Sequence, residues 1–217
     1  MLREKRSNRR VNTLDPYIKL LLANEAWVKE KLRLRRDFFQ KGAQGQKPGF
    51  LWISCSDSRV PPEDITGSDP GELFVHRNIA NQVSDGDLSV LSVLQYAVEV
   101  LQVQHIIVCG HYHCGGVLHA MRHEDCSVID QWLDQVKAIH RSHVDELDRM
   151  SDSALRFDRM VELNVTAQLR NVARTPIVRK AWSEEQGPHL HGWVYDVRTG
   201  KLKELETLRR PGKFSPP

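Results

Sequence analysis

An α/β fold, with a mostly parallel central sheet flanked by helices and an antiparallel edge strand, is what this sequence predicts. Three observations predict it. Short apolar, β-branched runs of buried-strand length recur: "FLWIS" (50–54), "ELFVHR" (72–77) and "HIIVCG" (105–110). Helical patterns alternate with them, which implies parallel pairing through crossovers. Near the end, "HLHGWVYDV" (189–197), the turn "RTGK" and "LKELETL" read as a hairpin, whose last strand adds the antiparallel edge.

Each element follows in order. Residues 14–40 read as one helix, rich in apolar and charged residues, without glycine, and with Pro16 near its start, where a helix tolerates it. "GAQGQKPG" (42–49) is a loop on composition. In "DGDLSVLSVLQYAVEVLQV", Leu88, Leu91, Leu94, Val98 and Leu101 recur at spacings of three and four, which predicts a helix with one buried face. "DQWLDQVKAIHRSHVDELDRM" reads as a further helix, and "RMVELNVTAQLRNVAR" as another, with Val161, Val165, Leu169 and Val172 as its stripe. The tail "RRPGKFSPP" carries no ordering signal. There are no internal repeats and no low-complexity segments.

Composition narrows the function classes. At 217 residues the chain suffices for one domain with a real core. A net charge of +3 is too small to point to nucleic acid, and the basic runs "MLREKRSNRR" and "LRLRR" read as solvated surface. No apolar stretch approaches the roughly 18 residues of a membrane span, and no apolar core follows the basic start as in an export signal. Four cysteines in a chain of this length do not resemble a disulfide framework. A reducing compartment, the cytoplasm, with some thiols on a metal, fits better.

Chemistry gathers at two strand ends, where sites form in such sheets. Cys55, Asp57 and Arg59 alternate directly after "FLWIS", and residues two apart in extended backbone share a side. After "HIIVC" comes "GHYHCGG", where His111 and Cys114 can converge in a tight turn and Gly115 and Gly116 let the backbone bend. Two thiolates, an imidazole and a carboxylate suit Zn²⁺. Either motif alone is weak; the pair is not. Asp57 has two candidate partners: it coordinates the metal and closes the site, or pairs with Arg59 and leaves the fourth position to water. A zinc-bound water has a pKa near ~7 against ~15.7 in bulk. Cys109 reads as a small core residue, Cys126 as a free thiol in a polar loop, and His113 as a surface residue facing away from the ligands. His105, His119 and His123 have no partner cluster in the sequence and carry no assigned role.

"CSDSR" (55–59) with "GHYHCGG" (110–116) resembles the β-class carbonic anhydrases. "GELFVHRNIANQV", "LSVLQYAVEVL", "ELNVTAQLRNV" and "HGWVYD" extend the resemblance over roughly residues 14–208. It implies a lyase that interconverts CO₂ and bicarbonate by attack of zinc-bound hydroxide. Cys55, His111 and Cys114 would hold the zinc, with Asp57 and Arg59 as the switching dyad. Gln46, nine residues before Cys55, matches a substrate-holding glutamine that acts across a dimer interface. Phe74, Tyr96 and Gly115 would line the substrate pocket. The resemblance also implies one domain over 1–217: an N-terminal helical arm and loop (1–45) that wraps a neighbouring subunit, a zinc-binding core (46–208) and a tail (209–217). A homodimer or dimer of dimers follows.

A bicarbonate-regulated subset of that family has a second pocket, matched here by Trp52, Arg77 and Tyr195. Ser54 departs from it, because the subset has glycine there. Three rival readings carry discriminating features. A CS₂ or COS hydrolase would use the same site on another linear molecule. A non-catalytic zinc scaffold would need neither Arg59 nor Gln46. A nucleotide-binding module would want a glycine-rich loop after the first strand, where "CSDSR" stands.

Overall fold

In the computed structural model, residues 15–122 and 127–209 are described, and the chain divides into two compact units, Met1–Gly45 and Gln46–Pro217. The basic start, His123, Cys126 and nearly all of the tail lie outside the described residues.

The first unit holds α1 (Pro16–Leu34) and α2 (Phe38–Gly42). Asp15 caps α1 by accepting from the Tyr17 amide at 3.2 Å, and Pro16 occupies the first turn, where no amide is required. The single helix expected over 14–40 is therefore two. Arg35 adopts extended backbone (φ −143°) and stops α1. Trp27, Phe38 and Phe39 then meet edge-to-face, with ring centroids 5.0 to 6.0 Å apart. No residue of α1 is buried, and Leu20, Leu21 and Leu22 stand exposed.

The second unit is a five-stranded sheet in the order β2-β1-β3-β4-β5, from β1 (Phe50–Cys55), β2 (Leu73–Asn78), β3 (His105–His111), β4 (His189–Asp196) and β5 (Lys201–Leu208). The first four strands run parallel and β5 is antiparallel, as the hairpin predicts. Interior strand β1 is buried on both faces from Leu51 to Cys55, hence its unbroken apolar run. Edge strand β5 carries Lys201, Lys203, Glu204 and Glu206, charges that discourage edge-to-edge pairing.

Helices α3 (Pro62–Thr66), α4 (Leu88–Gln95), α5 (Gly115–Arg122), α6 (Val128–Trp132), α7 (Asp134–Ser142), α8 (Val144–Asp148), α9 (Ser153–Arg174) and α10 (Pro176–Ser183) complete this unit. Helix α9 is capped by Asp152 and packs on β3 and β4. Its predicted stripe is the one observed: Val161, Val165, Leu169 and Val172 are all buried. Each contributes roughly 1.5–3 kcal/mol of hydrophobic burial. The expected stripe of α4 is kept except at its first residue: Leu94 and Val98 are buried, and Leu91 and Leu101 pack against the core. Leu88 is 81% exposed, and Val90, Leu94, Ala97 and Val98 face the core, because Leu88 lies in the first turn, just beyond its cap Asp87. A π-turn, Tyr96–Val100, extends α4. The helix expected across 130–150 is broken into α6, α7 and α8, with Leu133 and His143 leaving helical geometry between them. Asp130 on α6 is buried and accepts from Lys137 (2.9 Å) on α7, His119 (3.0 Å) on α5 and the Ser127 hydroxyl. His119, given no role from sequence, is thus part of an ion-pair staple across three short helices.

Candidate metal centre

Strand β1 delivers Cys55 at its last residue, and the chain then turns on Asp57. Oδ1 of Asp57 accepts from the Arg59 amide at 2.9 Å, so the segment leaves extended geometry here. The turn, rather than strand alternation, brings Arg59 back. Its Nε donates to Oδ1 (2.9 Å) and its Nη2 to Oδ2 (2.7 Å), a two-point fork on the carboxylate. Nη2 also donates to the carbonyl of His113 at 3.2 Å.

Strand β3 delivers His111, also at its last residue. The tight turn to Cys114 places His113 in the left-handed region (φ 60°), which aims its ring outward, as expected, and its carbonyl at Arg59. Gly116 follows because nothing larger fits. A Cβ there would lie 2.7 Å from Cγ2 of Ile79. Gly115 is exposed beside the site.

The ligand atoms of Cys55, His111 and Cys114 lie within 4.8 Å of one another, and all three residues are buried. The two sulfurs are 3.9 Å apart. Nδ1 of His111 is 3.0 Å from the Tyr112 carbonyl and donates to it, which leaves the lone pair on Nε2. That Nε2 is buried without a hydrogen-bond partner, a costly state that a metal ion would relieve. The donors therefore fit Zn²⁺: two sulfurs and one imidazole, with one coordination position outside the triad.

Electrostatics favour the same use. A hydrogen bond from the Cys114 thiol lowers the Cys55 pKa below that of a free thiol, opposed by burial and aided by His111 and by the amides of Ala80 and Asp57. The shared proton raises the Cys114 pKa correspondingly. Arg59 holds the Asp57 carboxyl well below the usual carboxylate range. Oδ2 of Asp57 is 3.8 Å from His111 Nε2, beside the triad yet bonded to Arg59. Of the two partners the sequence left open, this structure has Asp57 on Arg59.

Other sequence-nominated residues distribute as follows. Phe74 and Tyr96 pack together with ring centroids 5.7 Å apart. Gln46 is exposed in the loop before β1. Trp52, Ser54, Arg77 and Tyr195 share one face of the sheet with Cys109 and Trp193. Trp52 Nε1, Ser54 Oγ and Trp193 Nε1 are buried there without partners. Arg77, expected to offer its charge to an anion, donates to the carbonyls of Cys55 (2.9 Å) and Asp57 (2.5 Å). It braces the turn that carries ligand and dyad. Cys109 is a buried core thiol as expected, its pKa pushed up by burial.

Sequence reasoning missed two supports. On α9, Asn164 donates to the Ala80 carbonyl (3.0 Å), and Gln168 accepts from the Val83 amide (2.8 Å). They fix the loop at 79–83, where Ala80 and Asn81 are left-handed. Polar residues inside the apolar stripe of 159–174 were the available signal. His105, set aside for want of a partner, has Nδ1 3.0 Å from Nε2 of His191. The alternation His189-Leu190-His191 in a predicted strand was the clue.

Comparison with known proteins agrees with this geometry. A family profile described as carbonic anhydrase matches residues 50–202. A carbonic anhydrase of Emericella nidulans is 48% identical over 187 residues, 86% of this chain and 82% of its own length. One of Pseudomonas aeruginosa is 39% identical over 81% of each chain. A β-carbonic anhydrase of Sordaria macrospora, described as tetrameric, has TM-score 0.85 at 40% identity, over 89% of this chain and 98% of its own. A Coccomyxa β-carbonic anhydrase solved with acetazolamide has TM-score 0.84 at 40% identity, over 88% and 86%. With the triad on the ends of two adjacent parallel strands and these likenesses over most of its length, the chain belongs to the β class of the carbonic anhydrase family.

Proposed function

We propose that this chain catalyses the reversible hydration of carbon dioxide to bicarbonate and a proton, with Zn²⁺ held by Cys55, His111 and Cys114. The observation that carries the reading is the Asp57–Arg59 pair, which keeps a carboxylate beside a three-donor cluster without joining it. A purely structural zinc site wants four closed ligands and no such pair. When bound, the ion supplies Lewis acidity that makes water nucleophilic near neutral pH.

The residues of the chain do the rest. Asp57, kept ionised by Arg59, offers Oδ2 as the acceptor that orients a water at the site. The Tyr112 carbonyl fixes the His111 tautomer. Phe74 and Tyr96 supply an apolar wall suited to an uncharged linear gas, and Gly115 leaves that side open. Gln46 acts across a subunit boundary, which its exposure permits. The arm of residues 1–45 embraces a second copy: α1 buries nothing and leaves Leu20 and Leu21 exposed. With core and tail it forms one catalytic domain, in a homodimer or dimer of dimers, as the tetrameric Sordaria relative suggests. The unpartnered Trp52 Nε1 and Ser54 Oγ, with Arg77 and Tyr195 on the same face, fit a bicarbonate-binding regulatory pocket. Among the described residues no helix is long and apolar enough to cross a membrane, and three cysteines are unpaired, which suits the cytoplasm.

The test combines metal analysis with stopped-flow hydration. The untagged chain should carry one zinc and hydrate CO₂. Cys114→Ser should lose zinc and activity together. A variant that kept stoichiometric zinc would refute the ligand set. Parallel assays on COS and CS₂ separate the neighbouring hydrolase reading.

A further inference from the structure

Three histidines gather on the Trp52 face of the sheet, far from the triad. His189 and His191 stand two apart on β4, and His105, first residue of β3, is the register partner of His189. His111 lies at the other end of β3, roughly 20 Å along the strand. The His105 ring centroid is 5.8 Å from that of His189 and 5.2 Å from that of His191.

Their protons can be placed. Thr207 has one hydroxyl proton and gives it to Glu204 Oε1, so toward His191 its oxygen accepts. His191 Nδ1, 3.0 Å away, is therefore the protonated nitrogen. The lone pair of His191 sits on Nε2, facing His105 Nδ1 at 3.0 Å. Burial, with the neighbouring histidines, lowers the pKa of both His105 and His191, so both rings are neutral near pH 7.

We propose that His105, His189 and His191 form a second metal site, for a divalent transition-metal ion that prefers imidazole, such as Zn²⁺ or Ni²⁺. Two nitrogens bound to one ion at about 2.0–2.1 Å stand about 3.0–3.4 Å apart, and the ring centroids about 5 Å apart. The nitrogen separation of His105 and His191 falls in that range, while centroids 5.2 Å apart show the rings meeting head-on, so both must tilt for their lone pairs to converge on one ion. No proton has to leave: His105 moves its proton from Nδ1 to Nε2, and both facing nitrogens then present lone pairs. Glu204 and Thr207 provide the outer support a histidine ligand needs, orienting His191 through Nδ1. His189 completes the set by turning its ring, since among the described residues only Cys55, His111 and Cys114 already hold three ligand atoms within 4.8 Å. A bound ion would fasten β3 to β4, and through Thr207 to β5.

The experiment titrates untagged, zinc-loaded chain with Ni²⁺ by calorimetry, with absorption spectra and zinc release followed in parallel. One Ni²⁺ per chain should bind, without thiolate charge-transfer bands and without displacing zinc, and melting should shift upward. His105→Gln/His191→Gln should lose that equivalent while keeping its zinc and its circular dichroism. His189→Gln should weaken it. Cys114→Ser should still take up Ni²⁺, so failure of the zinc assignment would leave this result standing. No uptake by the zinc-loaded chain, uptake only by zinc displacement, or unchanged uptake in the double variant would each overturn the proposal.

Discussion

Arg59 grips Asp57 by both carboxylate oxygens, at 2.9 and 2.7 Å, while Oδ2 of the same carboxylate stands 3.8 Å from the unpartnered Nε2 of His111. On the function proposed above, a short swing of Asp57 would carry it from the arginine to the metal. The guanidinium would then set which is occupied, and it also donates to the His113 carbonyl at 3.2 Å.

Arg59→Ala should therefore leave zinc bound and release Asp57 toward it. Loss of a charge-assisted pair of about 1.5–3 kcal/mol corresponds to roughly a 10- to 100-fold fall in hydration rate. Metal content and stopped-flow rates measured together check this. Full activity with zinc retained would remove the switching role.

Trp52→Phe removes a buried indole donor that has no partner within the chain. Hydration without added bicarbonate should be unchanged. Inhibition by bicarbonate should weaken roughly 3- to 10-fold, the worth of one hydrogen bond. Inhibition constants for the two proteins decide it, and identical values would exclude Trp52 from any regulatory pocket.

Gly110→Ala tests how closely α9 lies on the sheet. A Cβ at Gly110 would fall 2.5 Å from Cγ2 of Val165. Overpacking of this kind costs about 1–3 kcal/mol. Urea unfolding should show that loss, and weaker zinc retention should accompany it, because Gly110 immediately precedes His111.

Asp130 sets an acid-dependent share of stability. The hydrogen bonds from Ser127 and Lys137, then from His119, hold its carboxyl well below the ordinary range. Its folded pKa lies below its unfolded value near ~3.9, so the stabilisation is present above that value and is lost as pH falls below it. Calorimetry should find Asp130→Asn much less stable than the parent at neutral pH, with the gap closing on acidification below ~4. A gap that stayed constant with pH would contradict this.

Much of this was legible in the sequence, and the reasons are local. Strand runs, the α9 stripe and the hairpin depend on near-neighbour periodicity, which the chain displays openly. The triad was legible because its residues stand at strand ends, where α/β sheets collect chemistry. What escaped depends on partners distant in sequence. Nothing near His119 announces Asp130, and nothing near His105 announces His191. The two carbonyls that Arg77 reaches were hidden for the same reason: its charge is visible in the sequence, but its partners in the fold are not. The breaks at Arg35, Leu133 and His143 escaped because no glycine or proline marks them.

Two of the carboxamides on α9 act at a remove. Asn164 and Gln168 touch neither sulfur nor imidazole, yet they seat Ala80 and Val83, and the Ala80 N–H points at the sulfur of Cys55. Helix α9 thus has an indirect hand in favouring the thiolate of Cys55. Reshaping these buried carboxamides would reach Cys55 through the Ala80 amide, without altering any residue of the triad.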